Sequence, residues 1–441
     1  MGCLNGNYET TLMQQASLLR RLAIYEERKR FNLMLAQDKK LSSAVVKVKD
    51  TKNQYLTLED FLRLPANFYR SLGVDPFATN RNTSIALHLV FMAQLVGLSL
   101  AMYMQMELVW INEDFFQSMQ VLGYSTFGIA GILKVITVQL RKDKMISMVG
   151  QLRSCFPSPT EEEQKQYEVK VYLRRFHRFA KAFGGLYLAL VITYDIAAIG
   201  QYAFQRWVLC LPNPTQTLPY VSPLPWEWRD SWRYYPTYLM QSINGYSATG
   251  YHISADIMIF AVVMQVIMHF DRLAKALREF KFCRNAKEDF KNLRALIEYH
   301  NQVLDLTDVM NEIFGIPLLL NFLASSLLVC NVGFQLTLGF SLEHISQQLM
   351  LLTSALVEIY LICFFSQMLI DASEHVSFAV YEMNWLEADI RFRKMLVLLC
   401  LRAQKPVCLK ATVFVDISIG TMSIFLRVSY KFFCAIRSMY Q

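Results

Sequence analysis

Apolar residues along this chain do not alternate with polar ones. They come in runs of about twenty, separated by charged stretches. Seven runs are read as membrane-crossing helices, at about 84–105, 119–140, 180–204, 251–271, 315–339, 346–370 and 411–436. Each is near the roughly 20 residues a helix needs to cross a hydrocarbon core about 30 Å thick. The last run is not purely lipid-like, because Asp416, Ser418, Thr421, Ser423, Arg427, Ser429 and Tyr430 interrupt it. Polar groups without partners are costly in hydrocarbon, so this helix must turn them to protein or water. It is expected to line something.

Shorter patterns fill the intervals. Residues 1–60 are polar and read as an extension in front of a helical domain at 61–437. From Phe61 to Phe77 the spacing is helical until Gly73 and Pro76 stop it, which predicts a short helix lying on the membrane or the bundle. Thr160 opens a capping box with Glu163, and helical spacing then runs from Tyr167 to Lys181 into the third run. Between 288 and 314, Leu293, Leu296, Ile297, Val303, Leu304, Val309, Met310 and Ile313 form one apolar stripe, which must pack on another helix. Several spans are therefore expected to extend into the cytosol as a compact bundle. The segment 205–250 is rich in Pro and carries Trp207, Trp226, Trp228 and Trp232. It reads either as an aromatic belt at the membrane surface or as an apolar lid over a pocket opening outward.

Composition agrees with the pattern. The 441 residues are 54% hydrophobic and only 18% charged, with mean hydropathy +0.25. This is an all-α polytopic membrane protein rather than a soluble one. The net charge of +8 would raise nucleic acid in a soluble protein; here the distribution of Lys and Arg explains it, and no nucleic-acid partner is expected. Alternate inter-run segments carry 36 Lys and Arg against 3, and 23 against 3 when residues 1–83 are left out. The positive-inside rule then places the N-terminus in the cytoplasm and the C-terminus outside. That is the reverse of a heptahelical receptor coupled to G proteins. The last run also lacks NPxxY, and Asp271-Arg272 ends the fourth run rather than the third. Nine scattered cysteines without a CxxC pair argue against a zinc site or a disulfide scaffold. The charged N-terminus is no cleavable signal peptide, and Gly6 occupies the place where a myristoylation pattern needs Ser or Thr.

Enzyme motifs are missing: no HExxH, no GxxxxGK[ST], no GxGxxG opening a helix. Gly123 and Gly245 begin two elbow-like triplets that fail at Phe127 and Thr249. No catalytic residue, metal or cofactor is assigned, and the chain is read as a non-enzyme. His300, Asp305 and Asp308 are read as a solvated helix face rather than a metal site. Lys134, Asp195, Asp256, Asn321, Asn331, Gln335 and Glu358 lie in or near the runs. They are read first as hydrogen-bonding groups between helices. Glu358, near the middle of the sixth run, needs a partner, and Lys134 is the one basic residue deep in another run.

Three blocks carry a family resemblance: residues 298–337, residues 358–385 with Cys363, Ser373, Ala379, Tyr381 and Trp385, and residues 393–433 with Pro406, Ala411, Phe414, Ser418 and Ser429-Tyr430. In this order, across roughly 61–437, the chain resembles the insect odorant receptors. The related gustatory receptors carry Thr-Tyr followed by Gln-Phe in the last span; this chain has Ser429-Tyr430 and no Gln-Phe. The resemblance implies a ligand-binding subunit of a nonselective cation channel, assembled with a co-receptor subunit as a tetrameric heteromer around a central pore. It implies the plasma membrane of olfactory neuron dendrites, with contact to membrane lipid and a small volatile ligand. A gustatory-type channel and a G-protein-coupled chemoreceptor are the alternatives.

By position, the resemblance also implies sites. Ligand contacts in the outer half of the membrane would be Leu122, Thr126, Tyr194, Ala198, Tyr202, Ser254, Met258 and Met350. Pore and gate residues would be Thr421, Tyr430, Phe433 and Ile436, and a subunit anchor would involve His300, Leu304, Tyr381, Trp385 and Pro406. The chain departs from the family pattern at Ser366, where Gly is usual, at Met422 in place of Phe, and at Lys431, which with Arg437 puts positive charge near the outer half of a cation path.

Overall fold

The computed structural model describes residues 55–440, apart from 78–80, 112–114, 213–215, 221–223, 225, 284, 338–341, 387 and 413–414 and some helical side chains near these gaps and the C-terminus. Met1–Tyr55 is one unit and Leu56–Gln441 another. The second begins a few residues before the expected boundary at 60, because α1 starts at Leu58 behind the cap residue Thr57; the extension, up to residue 54, lies outside the described residues.

The described elements are α1 Leu58–Ser71, α2 Arg81–Ile111, α3 Phe115–Leu140, α4 Lys142–Cys155, α5 Glu161–Gln166, α6 Val169–Trp207, α7 Tyr234–Arg278, α8 Ala286–Thr337, α9 Leu342–Glu382, α10 Ile390–Ala403, β1 Lys410–Ala411, β2 Val415–Asp416 and α11 Ile419–Tyr440. The seven expected runs fall on α2, α3, α6, α7, α8, α9 and α11. Among the described residues, the segments in α3, α6, α7, α8 and α9 are long and apolar enough to cross a membrane, and α2 adds the shorter apolar stretch Phe91–Met104. The 22 residues of α11 rise about 33 Å at 1.5 Å each.

The bundle is built around α7. Its central turns are buried on every side, from Ser247 to Phe270, as expected of a helix apolar all round. Helices α1, α2, α3, α6, α8 and α9 all pack against it. The short helix expected after Phe61 is α1, and it lies on the bundle. Thr57 and Asp60 cap its start reciprocally, Phe61, Leu62, Ala66 and Tyr69 turn inward, and Gly73 ends the segment at φ 77°. Glycine alone adopts that angle at no steric cost. Thr160 accepts the Glu163 backbone N–H as expected, but the Glu163 carboxylate bonds Ser158 N instead of closing the box.

Two boundaries differ from the sequence reading. Helix α7 starts at Tyr234 rather than near 251, because Gln241, Asn244 and Ser247 lower the hydropathy of its first turns yet face protein. Helix α11 starts at Ile419 rather than 411. The residues before it make a small antiparallel pair, Lys410 opposite Asp416 and Ala411 opposite Val415. Neighbouring helices hold this hairpin. Asn311 on α8 donates to Cys408 O at 2.9 Å and accepts from Lys410 N at 3.0 Å. Ser366 on α9 donates to Ile417 O at 2.6 Å and accepts from Leu409 N at 3.0 Å. Gly315 permits the approach, since a Cβ there would sit 3.1 Å from Thr412 N. Ser366, the departure from the family pattern, thus clasps the entry to α11.

The 288–314 stripe packs as expected: Leu293, Val303, Leu304, Met310 and Ile313 are buried. His300 does not fit the solvated-face reading. It is buried, with its ring 6.2 Å from that of Phe270, while Asp305 and Asp308 stay exposed.

Candidate functional site

Two features of the bundle have chemistry. The first is a buried ionic cluster. Lys134 on α3 is 0% exposed. Its Nζ lies 2.7 Å from Glu358 Oε1 on α9, 3.0 Å from Asp256 Oδ2 on α7 and 2.7 Å from His252 Nδ1. The partner that Glu358 required is therefore Lys134. The remaining carboxylate oxygens are also engaged: Tyr187 on α6 donates to Glu358 Oε2 at 2.5 Å, and Asn321 on α8 donates to Asp256 Oδ1 at 2.9 Å. Because the ammonium can only donate, His252 Nδ1 accepts, and Nε2–H donates to Phe127 O at 3.0 Å. Five helices meet at this point. His252, Asp256 and Glu358 have donor atoms close enough for a metal ion, but the Lys134 ammonium already occupies the cationic position among them.

The second feature is a cavity with a free volume of about 110 Å³. Gly97 to Met104 of α2, Tyr124, Phe127 and Gly128 of α3, Leu190 to Tyr194 of α6, Met240 to Thr249 of α7, Leu351 of α9, and Tyr220 and Trp226 of the 208–233 loop line it. Rings dominate. Tyr194 stacks on Tyr220 at 5.5 Å, and Tyr124 meets both edge-on at 5.7 Å. The scale is that of apolar cavities of about 150 Å³ that take up benzene. The tryptophans of the Pro-rich segment divide: Trp226 lines the cavity, whereas Trp207 and Trp232 are exposed.

Cavity and cluster share a wall. The Phe127 ring lines the cavity and stacks on the His252 imidazole, with centroids 4.1 Å apart and planes 11° from parallel. Gly131 lets α3 and α7 come this close, since a Cβ there would lie 3.0 Å from Ala248 O.

Of the eight expected ligand contacts, Tyr194 lines the cavity. Met350 packs beside it, against the cluster of Leu190, Tyr194 and Leu351. The others lie elsewhere. Leu122 is exposed, Thr126 Oγ1 bonds Leu122 O on its own helix, and the Tyr202 hydroxyl accepts from Arg206. Ala198 is buried under the loop, where its carbonyl accepts from Thr217, and Ser254 and Met258 lie deeper in the core. The cavity-lining residues outside that expected set come mainly from α2 and from the first turns of α7. Asn244 and Gln241 were the available signal, as polar residues recurring at helical spacing just before an apolar run.

Helix α11 packs on one side only. Met422, Phe425, Ser429 and Phe433 form the inward stripe against α8 and α9. Phe425 meets Phe322 at 6.0 Å, Ser429 Oγ meets Ser326 Oγ at 3.2 Å, and the Phe433 ring lies over Gly333. Tyr430 is 66% exposed. Thr421 is half-buried and bonded to Asp416 O, and the Ile436 side chain lies outside the described residues. Arg427, Lys431 and Arg437 are exposed. At about 100° per residue, Arg427 and Lys431 fall opposite the inward stripe.

At the other end of the bundle, the His300 and Leu304 side chains pack within their own chain, Trp385 is half-buried, and Tyr381 and Pro406 are exposed. Burial and the nearby Arg402 guanidinium push the His300 imidazole down to about 4.

Residues 112–430 match the family model described as 7tm Odorant receptor. The chain is 47% identical over 399 residues to "Odorant receptor 67a" of Drosophila melanogaster, covering 88% of this chain and 98% of the relative. It is 35% identical over 386 residues to "Odorant receptor 85c" of the same organism, covering 86% and 99%. The fold matches that of the insect olfactory receptor OR5 from Machilis hrabei, solved in complex with eugenol, with TM-score 0.72, 13% identity and coverage of 87% of this chain and 98% of that one.

Proposed function

The chain belongs to the 7tm odorant receptor family of insects, and from that premise we propose that it is the ligand-binding subunit of an odorant-gated, nonselective cation channel. The carrying observation is α11. A helix of 22 residues with one stripe packed and Arg427, Lys431 and Tyr430 bare does not suit lipid on its open side. An aqueous pore or a neighbouring subunit does suit it.

In this reading four subunits, this chain and a co-receptor among them, place their last helices, α11 in this chain, around the pore. The cytoplasmic ends meet through the exposed apolar side chains Phe378, Tyr381, Leu386, Ile390 and Leu398. Tyr381 and Pro406 belong to that surface. His300 and Leu304 would support it from beneath. The Lys and Arg distribution supports a cytoplasmic N-terminus and an outer C-terminus, so the aromatic cavity lies toward the outside. The setting is the plasma membrane of olfactory neuron dendrites.

A volatile molecule enters the cavity and is held by dispersion against the rings. It presses on Phe127 and hence on His252 and the Lys134 cluster, which joins α3, α6, α7, α8 and α9. Two of these, α8 and α9, carry α11 and the hairpin before it. Ligand in the cavity can thereby bias the position of the pore helix. Lys431 would lower cation conductance from this subunit, leaving the co-receptor to supply the better lining.

The test is electrical. In excised patches without GTP, volatile mixtures should evoke cation current within milliseconds only when this chain and a co-receptor are expressed together. A response that needs GTP and gives no direct current would instead favour a receptor acting through G proteins.

A further inference from the structure

One amide at the cavity wall lacks a full set of partners. Gln241 on α7 is 4% exposed. Its Oε1 accepts the Tyr220 backbone N–H at 3.1 Å. That bond fixes the orientation of the amide, because a backbone N–H donates and can meet only the carbonyl oxygen. Nε2 is left with its two hydrogens, buried and without an acceptor. Two neighbouring side-chain donors are engaged: Trp226 Nε1 donates to Thr237 Oγ1 at 3.1 Å, and Asn244 Nδ2 to Gly97 O at 3.4 Å. The Tyr194 hydroxyl on the α6 wall is also buried without a partner, but unlike Nε2 it carries a single hydrogen and can accept as well as donate. Buried donors are nearly always satisfied, so an unpaired one at the edge of a cavity is a demand on whatever fills it.

We infer that Gln241 is the specificity-determining donor of this cavity, and that its ligands are small, largely apolar molecules bearing one exposed hydrogen-bond acceptor, such as a ketone, aldehyde or ester oxygen, to which Nε2–H donates. This rests on reading the cavity as the odorant site. A purely hydrocarbon ligand fills the same space and meets the same rings, but leaves Nε2 unpaired. The cavity therefore discriminates against it even when shape and volume are equal.

The experiment uses the full-length receptor in lipid nanodiscs, with binding read by isothermal titration calorimetry. The probes are two isosteric pairs, acetophenone with α-methylstyrene and 2-heptanone with 2-methyl-1-heptene. In the unsubstituted receptor each ketone should bind about two- to tenfold more tightly than its hydrocarbon. Gln241→Met should bring that ratio to about one, mainly by weakening the ketones. A change in folding or in cavity shape alone would move both members of a pair together. The unsubstituted ratio stands as a test even if the variant folds poorly. Hydrocarbons binding as well as ketones, no ketone binding at millimolar concentration, or a ratio unchanged in Gln241→Met would each overturn the assignment. Ala248→Trp, which fills the cavity, separates the two readings. If it leaves ketone binding intact, the cavity is not the site at all. If it abolishes binding while Gln241→Met keeps the ratio, only the donor assignment fails.

Discussion

Lys134→Met removes the one cation from a site that holds two carboxylates. Lys134 is fully buried, 2.7 Å from Glu358 and 3.0 Å from Asp256. At an effective dielectric near 20, each contact is worth roughly 5–6 kcal/mol of gross attraction, most of it offset by desolvation. Without the lysine the attraction is gone and the two carboxylates face each other. Their oxygens lie within 4.8 Å, a separation at which like charges repel by about 3 kcal/mol in the same medium. Breaking a buried pair by removing one partner costs about 3–5 kcal/mol. That is roughly two to three and a half orders of magnitude in the ratio of folded to unfolded receptor. The assay is the thermal midpoint of detergent-solubilised receptor, read by size-exclusion chromatography with fluorescence detection. Lys134→Met should lower it sharply, and Lys134→Met with Asp256→Asn and Glu358→Gln should regain most of the loss, because no unpaired charge remains. A single variant as stable as the parent, or a triple variant no better than the single, would refute the view that these charges are paired in the fold.

Other consequences are as concrete. Ser366→Ala strips the bonds to Leu409 N and Ile417 O and should cost about 1–3 kcal/mol locally, seen as Leu409 amide exchange faster by about tenfold or more; unchanged exchange would mean that the hairpin is held without it. His300 is held near 4 in the fold against about 6.5 when unfolded, so the unfolded chain binds more protons between those values. Its contribution is full above about pH 6.5 and is lost as pH falls toward 4. His300→Gln should flatten that part of the stability profile measured from pH 7 to 4. Lys431→Gln should raise the single-channel cation conductance of the heteromer. Equal conductance would place Lys431 away from the ion path.

The long elements were legible because membrane-crossing helices announce themselves by length and apolarity, and all seven runs fall on helices. The starts of α7 and α11 were not. Gln241 and Asn244 read as polar until the bundle packs around them, and 411–416 reads as apolar helix until Asn311 and Ser366, from other helices, claim the backbone on either side of it at Cys408, Leu409, Lys410 and Ile417. The need of Glu358 for a counter-ion was visible in the sequence. Its pairing with Lys134 across 224 positions was not, because nothing local encodes that distance. The cavity was the least legible part. Helical phase can place Tyr194 toward the interior, but the contributions of α2 and of Trp226 to the wall depend on how helices lean together and on where an irregular loop folds back. His300 was misplaced because its neighbours Asp305 and Asp308 are hydrophilic, while its own position falls on the buried side of α8.

The central claim is that the aromatic cavity between α2, α3, α6 and α7 is where a volatile ligand controls the channel. Its most direct measurement is the concentration–response curve of odour-evoked current for Ala248→Trp expressed with the co-receptor, at surface levels matched to the parent. The indole fills the cavity without touching α11. The account predicts loss of the response, or a shift of the midpoint by about a hundredfold or more, with the heteromer still delivered to the surface. A curve that overlays the parent's would contradict it.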